Sequence, residues 1–305
     1  MQLSYFTADA FTSEIFQGAQ IAVLPRANGL TAAQMQTIAA EFNLTETVFI
    51  TAADDSQGLQ ARAFSPREEV SVIGHPLIAA AHVAAASGVL TLQNGVHDLQ
   101  VHCDDRSSAL AITVTNGRAV KAQYAVTVTP RVDRFAPTRS ELAAILSLSV
   151  DDLEAPDDLR PLLVACPRPY LVLALKNRDA VRRARFDFGG WSNSSAPSML
   201  AQEILLVVKD AEEASANFHA RLVSPDIGIN DDPPVGAAVP ALAAWLCDHD
   251  HIRRGTYPFT VERGSRATRH SLLHVEMDNQ GKESLQLRIG GHAVLVSQGQ
   301  ITLPD

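Results

Sequence analysis

Two stretches of the chain are apolar at nearly every position. Residues 76–86 read PLIAAAHVAAA and residues 239–246 read VPALAAWL. A helix that is apolar all round is buried on all sides. Each stretch therefore predicts a helix enclosed by the core, and the small alanines let strands pack close around it. Gly74 and Gly236 precede the two stretches, where a tight turn must bring the chain in. Pro76 suits a first helical turn, in which its missing N–H is not needed. Pro240 is less comfortable if its helix begins at Gly236.

The remaining pattern is strand-rich. Segments 20–24, 47–51, 110–115, 122–129, 170–175, 203–208 and 293–296 are short and β-branched or apolar. Segment 31–42 differs. Met35, Ile38, Ala39 and Phe42 form a helical stripe, Thr31 and Gln34 form a capping box, and Asn43 ends the helix. A second capped helix starts near Thr138, with Glu141 three positions on and Leu142, Ile145 and Leu146 behind it. Segment 189–198 (GGWSNSSAPS) reads as an exposed polar loop, and 130–137 as a linker.

One weak internal repeat organises these elements. Residues 61–82 (ARAFSPREEVSVIGHPLIAAAH) and 220–245 (ARLVSPDIGINDDPPVGAAVPALAAW) share Ala-Arg, an apolar pair and Ser-Pro. Both then run through an acidic loop to a glycine and an alanine-rich stretch. Arg62 and Arg221 are 159 positions apart, and Gly74 and Gly236 are 162 apart. The fold class predicted is α+β. It has two similar lobes, each a β-barrel-like, mostly antiparallel sheet around a central buried helix, spanning 1–118 and 119–293. A C-terminal strand near 294–305 returns to the first lobe.

Composition narrows the function classes. The 305 residues are 46% hydrophobic and 19% charged, which argues against disorder and against a charged coiled coil. The net charge of -9 comes without a basic block, so nucleic-acid binding has little electrostatic support. No apolar run reaches the roughly 18 residues of a membrane span, and no signal peptide is evident. Cys103, Cys166 and Cys247 form no CxxC, so neither a disulfide framework nor a metal site is indicated, and a cytoplasmic location fits best.

Several residues could carry chemistry. Glu46 lies between the capped helix and the apolar strand Val48-Phe49-Ile50. A carboxylate held there and partly desolvated is a better base near neutral pH, although a solvated glutamate is the commoner case. His75 follows Gly74 at one helix entry, and Asp232 precedes Gly236 at the other. Free N–H groups at such entries favour an anion such as a substrate carboxylate. Ordinary capping by Asp232 and a structural His75 stand as alternatives. Asp231-Asp232 lack the His or Cys partners of a metal site. His249-Asp250-His251 reads as a solvated turn, and Gly290-Gly291-His292 as a turn with close backbone approach. Nucleotide motifs are absent.

These residues together resemble the PhzF family of phenazine-biosynthesis-like isomerases. The segment from Tyr5 to Thr12 is similar to the family's opening strand and turn. Asn43-Leu44-Thr45-Glu46-Thr47 is similar to its motif Asn-Leu-Ser-Glu-Thr, and Gly74-His75 to its Gly-His pair. Asp231 to Ala238, Arg263-Gly264 with Arg269, and Gly290 to Gly299 resemble later motifs. The resemblance implies the diaminopimelate-epimerase-like fold, an active site between two lobes, no cofactor and a homodimer. It implies that Glu46 is the catalytic acid/base. It implies that His75 and Asp232 bind and polarise a small, anionic substrate, with Gly74, Gly236 and Ala237 completing the binding set. The family's Thr and Ser are here Val235 and Ala237. A hydrogen bond to a charged group contributes ~1.5–3 kcal/mol, so that loss bears on the substrate rather than on Glu46. Two other readings stand beside this one. One is an amino-acid epimerase or racemase of the same fold, which uses a cysteine at each helix entry, where this chain has His75 and Ala237. The other is a non-catalytic small-molecule-binding protein.

Overall fold

The computed structural model describes residues 2–103, 106–154, 159–199, 201, 203–225, 227, 232–249, 254–281 and 283–303. The chain divides into two compact units. Unit 1 comprises Met1–Val126, Arg266–Leu273 and Arg288–Asp305; unit 2 comprises Thr127–Ser265 and His274–Leu287. Strands dominate both, and helices are few.

The first part of the chain forms β1 (Gln2–Ala10), β2 (Ala19–Leu24), α1 (Ala32–Phe42), β3 (Thr47–Asp54), β4 (Gly58–Phe64), β5 (Glu69–Val70), α2 (His75–Ala86), β6 (Gly95–Cys103), β7 (Arg106–Thr115) and β8 (Arg118–Val128). β2 pairs antiparallel with β1 and parallel with β3, and β3 pairs antiparallel with β4. β4 runs parallel to β6, which continues through β7 to β8 as an antiparallel meander.

Local sequence explains the helices. Thr31 Oγ1 accepts the Gln34 N–H at 3.3 Å, and Gln34 Oε1 accepts the Thr31 N–H at 2.9 Å, so the capping box closes α1 at its start. Asn43, in the left-handed region at φ 49°, ends it and donates its N–H to the Ala39 carbonyl at 3.1 Å. Met35, Ile38 and Ala39 are its buried face. Helix α2 is buried from His75 through Ala84 and packs on β1, β2 and β3. Gly74 turns the chain into it at φ 79°, ψ -128°, a conformation that only glycine adopts readily.

The next part forms β9 (Arg131–Asp133), α3 (Arg139–Leu146), β10 (Leu162–Ala165), β11 (Pro169–Ala174), α4 (Arg178–Arg183), α5 (Phe188–Ser192), β12 (Glu203–Val208), β13 (Phe218–Val223), α6 (Val239–Asp248) and β14 (Gly255–Arg263). β10 pairs antiparallel with β9 and β11; β11 is parallel to β12, β12 antiparallel to β13, and β13 parallel to β14. Helix α6 is buried from Val239 through Leu246 and packs on β10 and β11. β15 (Ser271–Asn279) and β16 (Leu285–Gly291) follow. β17 (Ala293–Thr302) lies antiparallel along the whole of β1, from Gln2 opposite Thr302 to Ala10 opposite Ala293.

The repeat seen in the sequence is a repeat of strand pairing. The order β2–β3–β4 in unit 1 is parallel then antiparallel, and so is β11–β12–β13 in unit 2. Even the register agrees. Arg62 faces Phe49, and Arg221 faces Leu206.

Three local expectations change. Segment 189–198 is exposed in part, as expected, but it is not a plain loop: the end of α5 and a 3-10 turn at Ala196–Ser198 occupy most of it, and Trp191 and Ala196 are buried. A Cβ on Gly190 would come within 2.7 Å of the Ala144 backbone. The glycine there serves close packing of α5 on α3 rather than flexibility. The linker at 130–137 contains β9, paired to β10. Gly290 and Gly291 end strand β16 instead of forming a turn. The close approach expected of them is present, since a Cβ on Gly290 would meet the Ala122 carbonyl oxygen at 2.7 Å.

Candidate active site

In unit 1 the structure brings Glu46 and His75 together. Glu46 sits in the short connection between the end of α1 and the start of β3, so both flanking elements fix its backbone. His75 is the first residue of α2. His75 Nε2 lies 3.5 Å from Glu46 Oε2, in ion-pair range and longer than an ordinary hydrogen bond. The side chains are 7% and 20% exposed, respectively, so Glu46 is not a solvated surface carboxylate. No side chain caps α2. Beside Glu46, Thr47 Oγ1 is buried with no hydrogen-bond partner among the described residues. Such orphaned polar atoms are rare in folded proteins and call for an explanation.

In unit 2 Asp232 is the corresponding acid. Its Oδ2 lies 3.4 Å from Arg263 Nε at the end of β14, and the Arg263 side chain is only 7% exposed. Burial pushes the Asp232 carboxyl above its ordinary value; the positive charges of Arg263 and Arg221, and His219, pull the other way. Asp232 Oδ1 is buried with no hydrogen-bond partner among the described residues. Asp232 does not cap α6: that helix has no side-chain cap, and a 3-10 turn at Gly236–Ala238 leads into it. Gly236 is buried and Ala237 exposed. Asp231 lies outside the described residues, as do Asp250 and His251. His249 has both ring nitrogens engaged, with the Trp245 carbonyl at 2.8 Å and the Arg160 N–H at 3.0 Å.

Two buried charge clusters escaped the sequence reading. Glu262, fully buried, accepts the N–H groups of Glu212 and Glu213, each at 2.8 Å, and pairs with His219 Nδ1 at 2.9 Å. Its partners lie more than 40 positions away, so no local pattern could reveal it. Register explains the meeting, because His219 and Glu262 are direct partners across β13 and β14. In unit 1, Asp9 is 1% exposed and accepts Arg269 Nη1–H and the Phe16 N–H, both at 2.8 Å. Both residues belong to motifs noted in the sequence, but nothing there linked them.

Fold and site define a strand-dominated protein with an acid and a basic partner at the entry of one buried helix, and a second acid–base pair before the other. The chain matches the family model for PhzC-PhzF, phenazine biosynthesis-like protein, over residues 8–299, and it belongs to that family. It is 28% identical to an uncharacterized isomerase of Mesorhizobium japonicum, covering 98% of each chain. It is 26% identical to a trans-2,3-dihydro-3-hydroxyanthranilate isomerase of Pseudomonas fluorescens, covering 98% of this chain and 99% of that one. The enzyme class of these relatives is isomerase. A crystal structure of a PhzF-family protein from Bacillus anthracis superposes with a TM-score of 0.84 at 21% identity, over 99% of this chain and all of that one. A hydroxyproline epimerase from Agrobacterium vitis shares the fold at a TM-score of 0.62 and 13% identity, over all of this chain and 93% of that one. No helix among the described residues is long and apolar enough to cross a membrane.

Proposed function

We propose that this chain is a PhzF-like isomerase that moves a proton on the carbon skeleton of a small carboxylate-bearing substrate, with Glu46 as the acid/base and no cofactor taking part. The observation that carries the reading is the Glu46–His75 pair, 3.5 Å apart and largely buried at the entry of α2. A positioned carboxylate takes a proton from carbon and returns it elsewhere, and such general acid/base work contributes about 10²–10⁴-fold in rate. His75 sits within reach of the carboxylate oxygen, steadies it, and offers a second site for the proton. The uncapped N–H groups that open α2 favour an anion, here the substrate carboxylate. Asp232, with Arg263 3.4 Å away, and Gly74, Gly236 and Ala237 complete the proposed substrate-binding set. With Val235 and Ala237 in place of hydroxyl residues, backbone N–H groups carry the binding at that turn.

Proton transfer to and from carbon leaves a record in deuterated solvent. The test is deuterium incorporation, followed by NMR, in trans-2,3-dihydro-3-hydroxyanthranilate and a panel of related small carboxylates. The wild-type protein is expected to label at least one of them, and Glu46→Gln to lose about 10²–10⁴-fold of that activity with its fold unchanged. Undiminished labelling by Glu46→Gln overturns the assignment.

A further inference from the structure

The internal repeat places a second glutamate where Glu46 stands. In unit 1 Arg62 on β4 faces Phe49 on β3, and in unit 2 Arg221 on β13 faces Leu206 on β12. Glu46 lies three positions before Phe49, and Glu203 lies three positions before Leu206. Neighbouring pairs give the same match. Thr47 faces Phe64 and Ile204 faces Val223, and Ser-Pro follows directly on both Phe64 and Val223. The parallel partners extend it, since Thr47 pairs with Ala22 on β2 and Ile204 with Leu171 on β11. In register, Glu203 is thus the unit 2 counterpart of Glu46.

Side chains alternate between the two faces of a strand. Ile204, Leu206 and Val208 of β12 pack in one core cluster with Leu142 and Leu146 of α3. Glu203, Leu205 and Val207 therefore point to the other face. None of the described members of that cluster belongs to α6, and α6 packs on β10 and β11. Glu203 thus opens its strand on the α6 side, as Glu46, beside His75, precedes its strand on the α2 side. Glu203 Oε1 lies 3.8 Å from Arg168 Nη1, and the Arg168 side chain is 68% exposed. A pair that open to water contributes little. Glu203 Oε2 is buried, with no hydrogen-bond partner among the described residues. A buried acceptor in that state is costly, and a donor carried by a ligand relieves it. Tyr170 is the direct neighbour of Glu203 across β11 and β12. Burial, and after it the negative charge of Glu203, pushes the Tyr170 phenol up, so that group stays protonated.

We propose that Glu203 is a specificity-determining residue at the entry of α6, where its carboxylate receives a hydroxyl or amino donor carried by the carboxylate substrate. It joins Asp232, Gly236 and Ala237 of the proposed binding set. The inference rests on the isomerase reading and gives Glu203 no part in moving the proton. The repeat itself separates the two roles. Gly74 corresponds to Gly236, so the counterpart of His75 is Ala237. Glu203 has no imidazole at that position with which to share a proton, and recognition is the role left to it. A charged acceptor there also disfavours substrates with a second acidic group at that end.

Isothermal titration of the full chain with benzoate, 3-hydroxybenzoate and anthranilate tests it. The last two each add one donor group to the same carboxylate. At least one of them is expected to bind roughly tenfold more tightly than benzoate, the effect of a charge-assisted hydrogen bond. Glu203→Ala should bring that ligand to within about twofold of benzoate without weakening benzoate itself. Glu203→Gln, which keeps an acceptor and loses the charge, should fall between. Equal affinities for all three ligands in the wild type overturn the proposal. So does absence of saturable binding, or a preference that survives in Glu203→Ala. Should Glu203→Ala fail to fold, an unaltered preference in Glu203→Gln overturns it instead. Deuterium labelling keeps the two readings apart. Labelling by the wild type that Glu46→Gln loses, with the donor preference intact in the Glu203 variants, refutes the role of Glu203 alone. A wild type that labels no carboxylate overturns the isomerase reading and this role with it.

Discussion

His75 Nε2 lies 3.5 Å from Glu46 Oε2, although one residue precedes a strand and the other opens a helix nearly thirty positions later. The meeting depends on two backbone devices. Asn43 in the left-handed region stops α1 just short of Glu46, and Gly74 at positive φ turns the chain into α2 at His75. Both are positions where a β-branched residue would be strained.

The reach of the Glu46 side chain is therefore a sharper probe than its charge. Glu46→Asp keeps a carboxylate but withdraws it by one methylene, about an ångström or more. A displacement of that order costs roughly 10²-fold in a positioned reaction. Comparing deuterium incorporation by Glu46→Asp, Glu46→Gln and the wild type should rank Asp between the other two. Wild-type rates for Glu46→Asp would mean that the carboxylate is not held in reacting geometry.

The Asp9–Arg269 pair should matter to stability more than to chemistry. Asp9 is 1% exposed, and Arg269 Nη1 also donates to the carbonyls of Gln17 and Gly18 at 3.0 and 3.3 Å. The segment between carries Phe11 and Phe16 at positive φ, so the pair clamps a strained turn of unit 1. Removing one partner of a buried pair costs about 3–5 kcal/mol, because the other charge stays buried. Arg269→Ala should shift the denaturation midpoint accordingly. A change under about 1 kcal/mol, the size of a typical surface substitution or less, would show that solvent already screens Asp9.

Helices and repeat were legible in the sequence because their causes are local. The capping boxes at Thr31 and Thr138 formed as spelled, and helices apolar all round proved buried all round. The seven strand segments read from the sequence all fall in strands, but their ends ran longer, since β7 begins at Arg106 rather than near 110 and β17 extends to Thr302 rather than 296, and β4, β6, β10 and β13 to β16 went unread. What stayed hidden depends on distant pairing. Glu262 reads as an ordinary charged residue until β13 places His219 opposite it. The Gly/Ser-rich stretch misled because glycine has two uses, freedom and close approach, and Gly190 serves the second against α3. The candidate site was legible one residue at a time through its motifs, whereas the Asp232–Arg263 pairing was not.

His82 offers a pH test of the buried helix α2. It is 4% exposed, its Nδ1 lies 2.8 Å from the Ile78 carbonyl, and its Nε2 accepts the Ala293 N–H at 3.2 Å. Such a ring is neutral with its proton on Nδ1. Burial lowers its pKa from the ordinary 6.5. The unfolded chain then binds the proton more readily than the folded one, so stability is fully present above pH 6.5 and declines as pH falls below it. Denaturation measured from pH 7.5 down to 5 should show that decline, and His82→Gln should flatten it. An equal slope in the variant would place the acid sensitivity elsewhere.

Asp232 should respond to pH in the opposite sense. Its folded pKa is raised above the ordinary 3.8 by burial, against the pull of Arg263. The folded chain therefore holds this proton more tightly than the unfolded one, and ionising Asp232 costs stability as pH rises from the ordinary value through the folded one. Carbon-13 NMR of the side-chain carboxyl should show titration above 3.8 in the wild type. In Arg263→Leu, which removes the charge 3.4 Å away, the titration should move higher still, since an opposite charge at that distance favours the carboxylate. A lower value in Arg263→Leu would mean that the guanidinium mainly dehydrates Asp232 rather than stabilising its charge. Asp232 would then be poised by packing alone, and the second acid of the proposed site would not depend on Arg263.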